Sequence, residues 1–538
     1  MKKNKLNILI IFIFSILFIL INKTYYIGDD SLFHTSNIIS LSKIHTIIPN
    51  KILPILLNNL GYGVNIFYPP LPHILGSILY KITNNINITI KLLQFLSIFL
   101  SGITMYYYID TIFKKKETSL ITSLFYISMP YLFTDVFTRA ALNESFLFYI
   151  LPLIFLSFHY LYLKNNKLFY LFFILSFSLC IYTHLVLTIY ITIISLIYLL
   201  IFYKELLTKK NIIKLLKSTI LVLCITSPFW LPLIEHYFLK DYTIFLIDYT
   251  KENAVTTLPL YYYFFPIKLL SGARNPLRFN INPIALLFIV LTYLTFYEKK
   301  EEKNTSKILL AFLIITIITI LLESLNSIWN IIPNILRNIQ FSWRLSLITS
   351  FTSAIIAGYG INILKNKKIL LTITIVLLLS INIYHIKTLP PKESNTNIID
   401  SSCCKYNWQQ EYLPKNASVN IDYLSHREKN SIISSDKSAI ITIKKINNKN
   451  IIFNIKNITK ETTLELPRIY YLGYELTINN KKINIIQNKK GLIEAKIKKE
   501  GTYKLSYNST FLYRLSILIS ILGIILSLKF IIKNNDFK

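Results

Sequence analysis

Charge is scarce in this chain. Only 16% of its 538 residues are Asp, Glu, Lys or Arg, against about 25% in an average soluble protein. Ile, Leu, Phe and Tyr take up the difference: 53% of the residues are hydrophobic and the mean hydropathy is +0.48. That balance excludes an ordinary water-soluble enzyme. Acid is the scarcer sign, with 27 Asp and Glu against 58 Lys and Arg and a formal charge of +31. Such an excess invites a nucleic-acid reading, but the lysines sit in short clusters between apolar runs and no basic stripe with interleaved aromatics lies outside them, so nucleic acid is excluded as a partner. Cysteine is nearly absent. Cys180 and Cys224 lie in apolar runs and read as core residues. Cys403 and Cys404 are adjacent, a spacing too strained to bridge readily. No metal-type cysteine spacing exists, and the eight histidines include no His-x-His pair.

What is present is a series of long apolar runs, clearest at 6–21, 308–322 and 370–386, close to the ~20 residues that cross a hydrocarbon core. Their many isoleucines look strand-like by propensity. In lipid, however, a helix satisfies its own backbone hydrogen bonds, and that constraint outweighs propensity. The basic clusters then orient the chain. Lys2, Lys3 and Lys5 precede the first run, which places the N-terminus inside. No small-residue cleavage site follows this run, so it reads as a retained helix and not a signal peptide. The next cluster, 114–116, requires one crossing between, assigned to 88–108, and leaves 66–80 as a partial or surface-lying segment. Further crossings fall near 118–135, 146–163, 168–183, 185–203, 217–235, 283–298, 308–324, 345–363, 369–387 and 512–532. The expectation is an all-α polytopic protein of the cell membrane with about twelve crossings and both termini cytoplasmic.

The outer loops 23–87, 236–282 and 325–344 are long and rich in Tyr, Pro and Asn, and 388–511 is the size of a domain. Within it, 439–444, 451–455, 474–478 and 492–497 alternate apolar with polar residues, and Asn-rich turns separate them. This predicts a small extracytoplasmic antiparallel β domain between a membrane domain (1–387) and a last helix with a cytoplasmic tail (512–538). Chemistry-bearing residues cluster in the outer loops. Loop one reads Gly28-Asp29-Asp30-Ser31-Leu32-Phe33-His34, with a short amphipathic helix expected from Ser31. Asp30 suits a helix N-cap. From spacing the cap is the favoured reading; the other is a carboxylate base that His34, four residues on, would orient or bridge to through a metal. Loop two carries Asp135, Arg139 and Glu144. Arg139 reads either as an ion pair with Glu144 or as a phosphate ligand. His184 lies between two apolar runs at the same face. Gln340-Phe341-Ser342-Trp343-Arg344 ends loop five, and its Trp and Arg read as interface anchors or as part of a site.

The Gly28–His34 string resembles the opening of a bacterial membrane family named for a relation to 6-pyruvoyl-tetrahydropterin synthase and close to YfhO-like proteins. Residues 61–72, with Gly61-Tyr62-Gly63 and Phe67-Tyr68-Pro69-Pro70-Leu71, resemble a further family stretch. So does 340–344, where Ser342 departs from the usual Pro. Glu411-Tyr412-Leu413-Pro414 and 466–474 resemble the family's C-terminal domain. The pterin name does not imply that activity, which needs a three-His zinc site. The architecture instead resembles GT-C glycosyltransferases, which draw a sugar from a polyprenyl-phosphate carrier. The resemblance implies an inverting transfer to an envelope glycan or polymer, with Asp30 as base, Asp29 second and His34 assisting. It further implies Arg139 or Arg344 on the departing phosphate, and Glu144, His184, Gln340, Tyr68 and His73 lining the cavity. Some such enzymes use a divalent metal, but this sequence offers no clear ligand set, and no other cofactor is implied. The alternative is a non-enzymatic lipid-linked-sugar transporter or envelope assembly factor. Transporters place ionisable groups near the bilayer midplane, whereas here the polar groups gather at one face.

Overall fold

The structure, a computed structural model, describes residues 2–21, 28–44, 50–239, 241–246, 255–267, 269–270, 276–298, 303–363, 367–389 and 410–533. Cys403, Cys404 and the start of the expected β domain, 390–409, lie outside the described residues. Fourteen principal helices carry the chain: α1 (Lys2–Ile21), α2 (Ser31–Ser42), α3 (Leu71–Thr83), α4 (Ile86–Phe113), α5 (Lys116–Ile127), α6 (Leu142–Tyr162), α7 (Asn166–Thr183), α8 (Leu185–Ile201), α9 (Lys209–Leu239), α10 (Pro283–Glu298), α11 (Lys303–Ser324), α12 (Ser346–Tyr359), α13 (Lys367–Lys387) and α14 (Phe511–Lys533). Among the described residues, nine helical spans are long and apolar enough to cross a membrane. A tenth exists if α5 and the segment Pro130–Thr138, bent by 45° from it, count as one. The bend falls where Pro130 lacks the N–H that would continue the ladder, and Thr134–Thr138 beyond it winds as a π-helix. The apolar stretches Leu185–Ile201 and Pro283–Leu294 are helical but shorter. α3, with 13 residues, is about 20 Å long, too short to span.

Residues 410–533 begin with short turns and then a β unit. Its strands are β1 (Ile433–Ser434), β2 (Ile440–Ile446), β3 (Asn450–Lys456), β4 (Thr462–Ile469), β5 (Tyr474–Ile478), β6 (Lys481–Ile483), β7 (Ile485–Gln487), β8 (Leu492–Ile497) and β9 (Gly501–Tyr507). They form two antiparallel sheets, ordered β1-β4-β8-β7 and β2-β3-β9-β5-β6. Alternate residues such as Phe453, Leu464, Leu476, Ala495 and Tyr503 point inward to one shared core.

That core does not stop at the β unit. Phe33, Leu41, Leu53, Leu56, Tyr62 and Phe67 from loop one belong to it. Ile469 donates its N–H to Leu60 O at 2.9 Å, and Arg468 Nη1 donates to Asn59 O at 2.6 Å. Gly63 is required here, because a Cβ would sit 2.5 Å from the Tyr471 ring. Loop one is thus clamped between bundle and β unit. The helix expected from Ser31 forms, but not as an amphipathic one: eleven of its twelve residues are buried. Phe33 and Leu41 enter the β-side core, while Ile38 and Ile39 enter the membrane-side core. With both faces covered, no water-facing stripe remains.

Candidate functional site

The meeting point of bundle, loop one and β unit is a charge cluster. Glu144, in the first turn of α6, is 4% exposed and accepts four hydrogen bonds. Arg139 Nη1 and Tyr131 Oη donate to its Oε2 at 2.9 and 3.0 Å. Arg139 Nη2 and Arg344 Nε donate to its Oε1 at 2.9 and 3.1 Å. Arg139 Nη1 also donates to Asp135 Oδ1 at 2.9 Å. The π-helical turn produces this convergence. It places Asp135 and Arg139 on one side and hands the chain, through Ala140 in a left-handed conformation (φ 55°), to α6. Of the two readings left open for Arg139, the ion pair with Glu144 is formed. Both Arg139 Nη nitrogens are engaged by carboxylates. Arg344 is not an interface anchor: its side chain is 13% exposed, and Trp343 is buried against Phe341, ring centroids 4.4 Å apart. Arg344 Nη1 donates to Ile339 O and Gln340 Oε1, and among the described residues its Nη2 has no partner.

Asp30 stands at the mouth of this cluster. It occupies the N-cap position of α2, yet its carboxylate makes no capping hydrogen bond. Instead Oδ2 lies 3.7 Å from Arg139 Nη2, with the side chain 32% exposed. Its backbone N–H donates to Arg139 O at 2.9 Å. Gly28 makes that approach possible, since a Cβ there would fall 2.6 Å from the Arg139 carbonyl. Partial burial raises the carboxyl above the ordinary aspartate range, and Arg139 opposes the rise. A raised carboxylate is a stronger base. Asp29 precedes it in the same turn. Glu411, from the stretch leading into the β unit, is the residue that sequence reasoning missed as part of the site. Burial raises its carboxyl, while Arg344 lowers and Asp30 raises it, so its charge is felt at the same mouth. It lies 381 positions from Asp30 in sequence, and only its place in the Glu-Tyr-Leu-Pro stretch marked it. Tyr131 carried no signal at all.

The expected His34–Asp30 partnership is not formed. His34 Nε2 accepts the Leu142 N–H at 3.3 Å, and its Nδ1 faces His73 Nε2 at 2.8 Å. With Nε2 accepting, the hydrogen-bond pattern assigns the proton to Nδ1. Burial lowers both imidazoles, His73 to about 3, so both are neutral and neither is a counter-ion for Asp30. His73 is fully buried, away from the exposed mouth. Tyr68 remains a candidate. It is half-buried and packs between Phe33 and His73, with the Asp30 charge acting on its hydroxyl. His184 caps α8, accepting the Leu187 N–H on Nδ1, and its Nε2 lies 3.9 Å from Glu144 Oε1. A divalent cation does not fit here: Asp135 and Glu144 are already neutralised by guanidinium groups, and among the described residues no three His, Cys, Asp or Glu side chains are grouped as a metal would need.

Fold and site together define a multi-pass membrane protein in which charged residues of the connecting segments meet a C-terminal β unit at one end of the helices. The chain belongs to the 6-pyruvoyl-tetrahydropterin synthase related family of membrane proteins, which matches residues 66–388, more than half of its length. The matched stretch contains Tyr68, Arg139, Glu144, His184 and Arg344, and leaves Asp30 and the β unit outside. No curated protein matches the chain.

Proposed function

We propose that this protein is a glycosyltransferase of GT-C type, moving a sugar from a polyprenyl-phosphate carrier to an envelope glycan or polymer on the outer face of the membrane. The observation that carries this reading is the mouth of the charge cluster: a partly exposed carboxylate of raised pKa, Asp30, beside a guanidinium with an open nitrogen, Arg344 Nη2. Asp30 takes the proton of the acceptor hydroxyl as its oxygen attacks the sugar C1. The C1–O bond to the phosphate breaks with inversion, and Arg344 receives the charge developing on the leaving oxygen. Glu144 and Arg139 hold Arg344 in place. This reading goes with twelve crossings, the two short helices α8 and α10 and the bent pair counting as three of them, with both termini inside and 388–511 outside.

The decisive variant is Asp30→Asn. It keeps size and helix-capping ability but cannot accept a proton, so transfer from a polyprenyl-phosphate sugar falls by roughly 10²–10⁴-fold while protein level holds. Asp29→Asn costs less. Full transfer by Asp30→Asn would return Asp30 to a structural role. The non-enzymatic alternative has its own supporting observation. The cavity behind Asp30, between His34, Gln94 and Asp135, measures only about 20 Å³, room for a single water. A wild-type protein that transfers none of a panel of lipid-phosphate sugars would favour it.

A further inference from the structure

The π-helical turn has a second side. Asp135 faces the charge cluster, whereas Thr134, Phe137 and Thr138 wall a separate cleft with Arg278, His385 and Thr388. Arg278 is 7% exposed. Its backbone is clamped by one side chain, Thr134, whose Oγ1 accepts the Arg278 N–H at 3.0 Å and donates to its carbonyl at 2.9 Å. Among the described residues its guanidinium makes a single hydrogen bond, Nη2 to Thr388 Oγ1 at 3.3 Å, and it lies 6.0 Å from the Tyr384 ring centroid.

No carboxylate among the described residues lies within 4.0 Å of Arg278, in contrast to Arg139 and Arg344. Desolvation lowers its pKa from the usual guanidinium value, with no carboxylate among the described residues to oppose the drop. Among the described residues its Nε and Nη1 have no partner, and neither is sealed from the surface, so their N–H groups are open to the cleft. Burying a charge unpaired is costly unless something outside the chain pairs with it.

The surroundings say what that partner is. The cleft volume is about 20 Å³, which admits one oxygen-sized group and excludes a sugar ring. Phe133 in its wall packs against Phe18 of α1 (centroids 5.1 Å apart) and against His385 of α13 (6.2 Å). α1 and α13 touch each other and are among the least covered membrane helices, with 33% and 28% of their apolar windows buried. An anion reaching Arg278 therefore arrives beside two helices whose open faces suit acyl chains.

We propose that Arg278 seats the phosphate group of a phosphate-bearing lipid: one phosphoryl oxygen enters the cleft, the rest of the headgroup stays outside, and the acyl chains lie along α1 and α13. A guanidinium suits this role because its planar fork of donors matches phosphate oxygens. The seat is separate from the Asp30 mouth and does not depend on the sugar-transfer reading.

The test uses the full chain, purified in a neutral detergent, and follows its thermal midpoint with three probes at equal concentration: dioctanoyl phosphatidic acid, dioctanoylglycerol and inorganic phosphate. Binding to the folded state raises the midpoint. Phosphatidic acid is expected to raise it and dioctanoylglycerol not to, and Arg278→Gln is expected to lose the shift while Arg278→Lys keeps part of it. Inorganic phosphate matching phosphatidic acid would keep the anion seat and assign it to free phosphate. Should Arg278→Gln fail to fold, Thr388→Val removes the one bond that orients the guanidinium and is expected to shrink the shift. The proposal is overturned if wild type shows no shift with either phosphate probe, if dioctanoylglycerol matches phosphatidic acid, or if the folded variants keep the full shift.

Discussion

Replacing Glu144 by Gln tests whether the charge cluster holds together the segments that meet at this end of the helices. The carboxylate is 4% exposed and both oxygens are doubly engaged, by Arg139 twice, Arg344 and Tyr131. Gln keeps the volume, but it removes the charge and turns one acceptor into an amide donor aimed at guanidinium donors. Among the described residues Asp135 is then the one fully buried carboxylate still paired with Arg139, and Arg344 has no carboxylate within 4.0 Å. Leaving a buried charge without its partner costs about 3–5 kcal/mol, and the lower end applies because Asp135 still serves Arg139. The measurement is unfolding of the purified protein by rising SDS mole fraction, followed by tryptophan fluorescence. A double-mutant cycle with Arg344→Gln should show the pair costing less than the sum of the singles, with a coupling of about 0.5–3 kcal/mol. A Glu144→Gln protein within about 0.5 kcal/mol of wild type would refute the reasoning, since the network would then carry no net stability.

Three further outcomes follow from named groups. If Asp30 is the base, the acid limb of the transfer rate lies above the ordinary aspartate value of 3.8, because activity needs the ionised form and is lost as pH falls through the raised pKa; a limb at or below that value in kcat/KM profiles would rule Asp30 out. Lys51 is 6% exposed, and burial lowers it from 10.5 to about 7. Between those values the unfolded chain binds the extra proton, so stability climbs as pH rises from 7 towards 10.5, by up to about 5 kcal/mol. Lys51→Met should flatten that slope and be the more stable protein at pH 6, and an unchanged slope in thermal midpoints would contradict the burial. Single cysteines at Lys115 and Lys498, in a background without the four native ones, should be shielded from and labelled by an impermeant thiol reagent in intact cells, respectively; labelling at Lys115 would invert the proposed topology.

The sequence by itself determined the class. Runs such as 6–21 and 370–386 can only be helices in lipid, and period-two alternation at 451–455 and 492–497 announced strands, because both patterns are local. Five of the nine strands went unread: the short β1, β6 and β7, β4, whose alternation is broken by Pro467 and Arg468, and β9, which lies in the second sheet between β3 and β5. Spacing also put Asp135, Arg139 and Glu144 within reach of one another. Only the tertiary structure decided what each does. Glu144 is held by Arg344, 200 positions away, His34 turns to His73 and not to Asp30, and Glu411 arrives from the segment between α13 and α14. Helix and strand periodicity fix which face a side chain occupies, but not which distant loop covers that face. Here loop one is covered on both sides, so the roles of its residues depend on partners supplied by other parts of the fold.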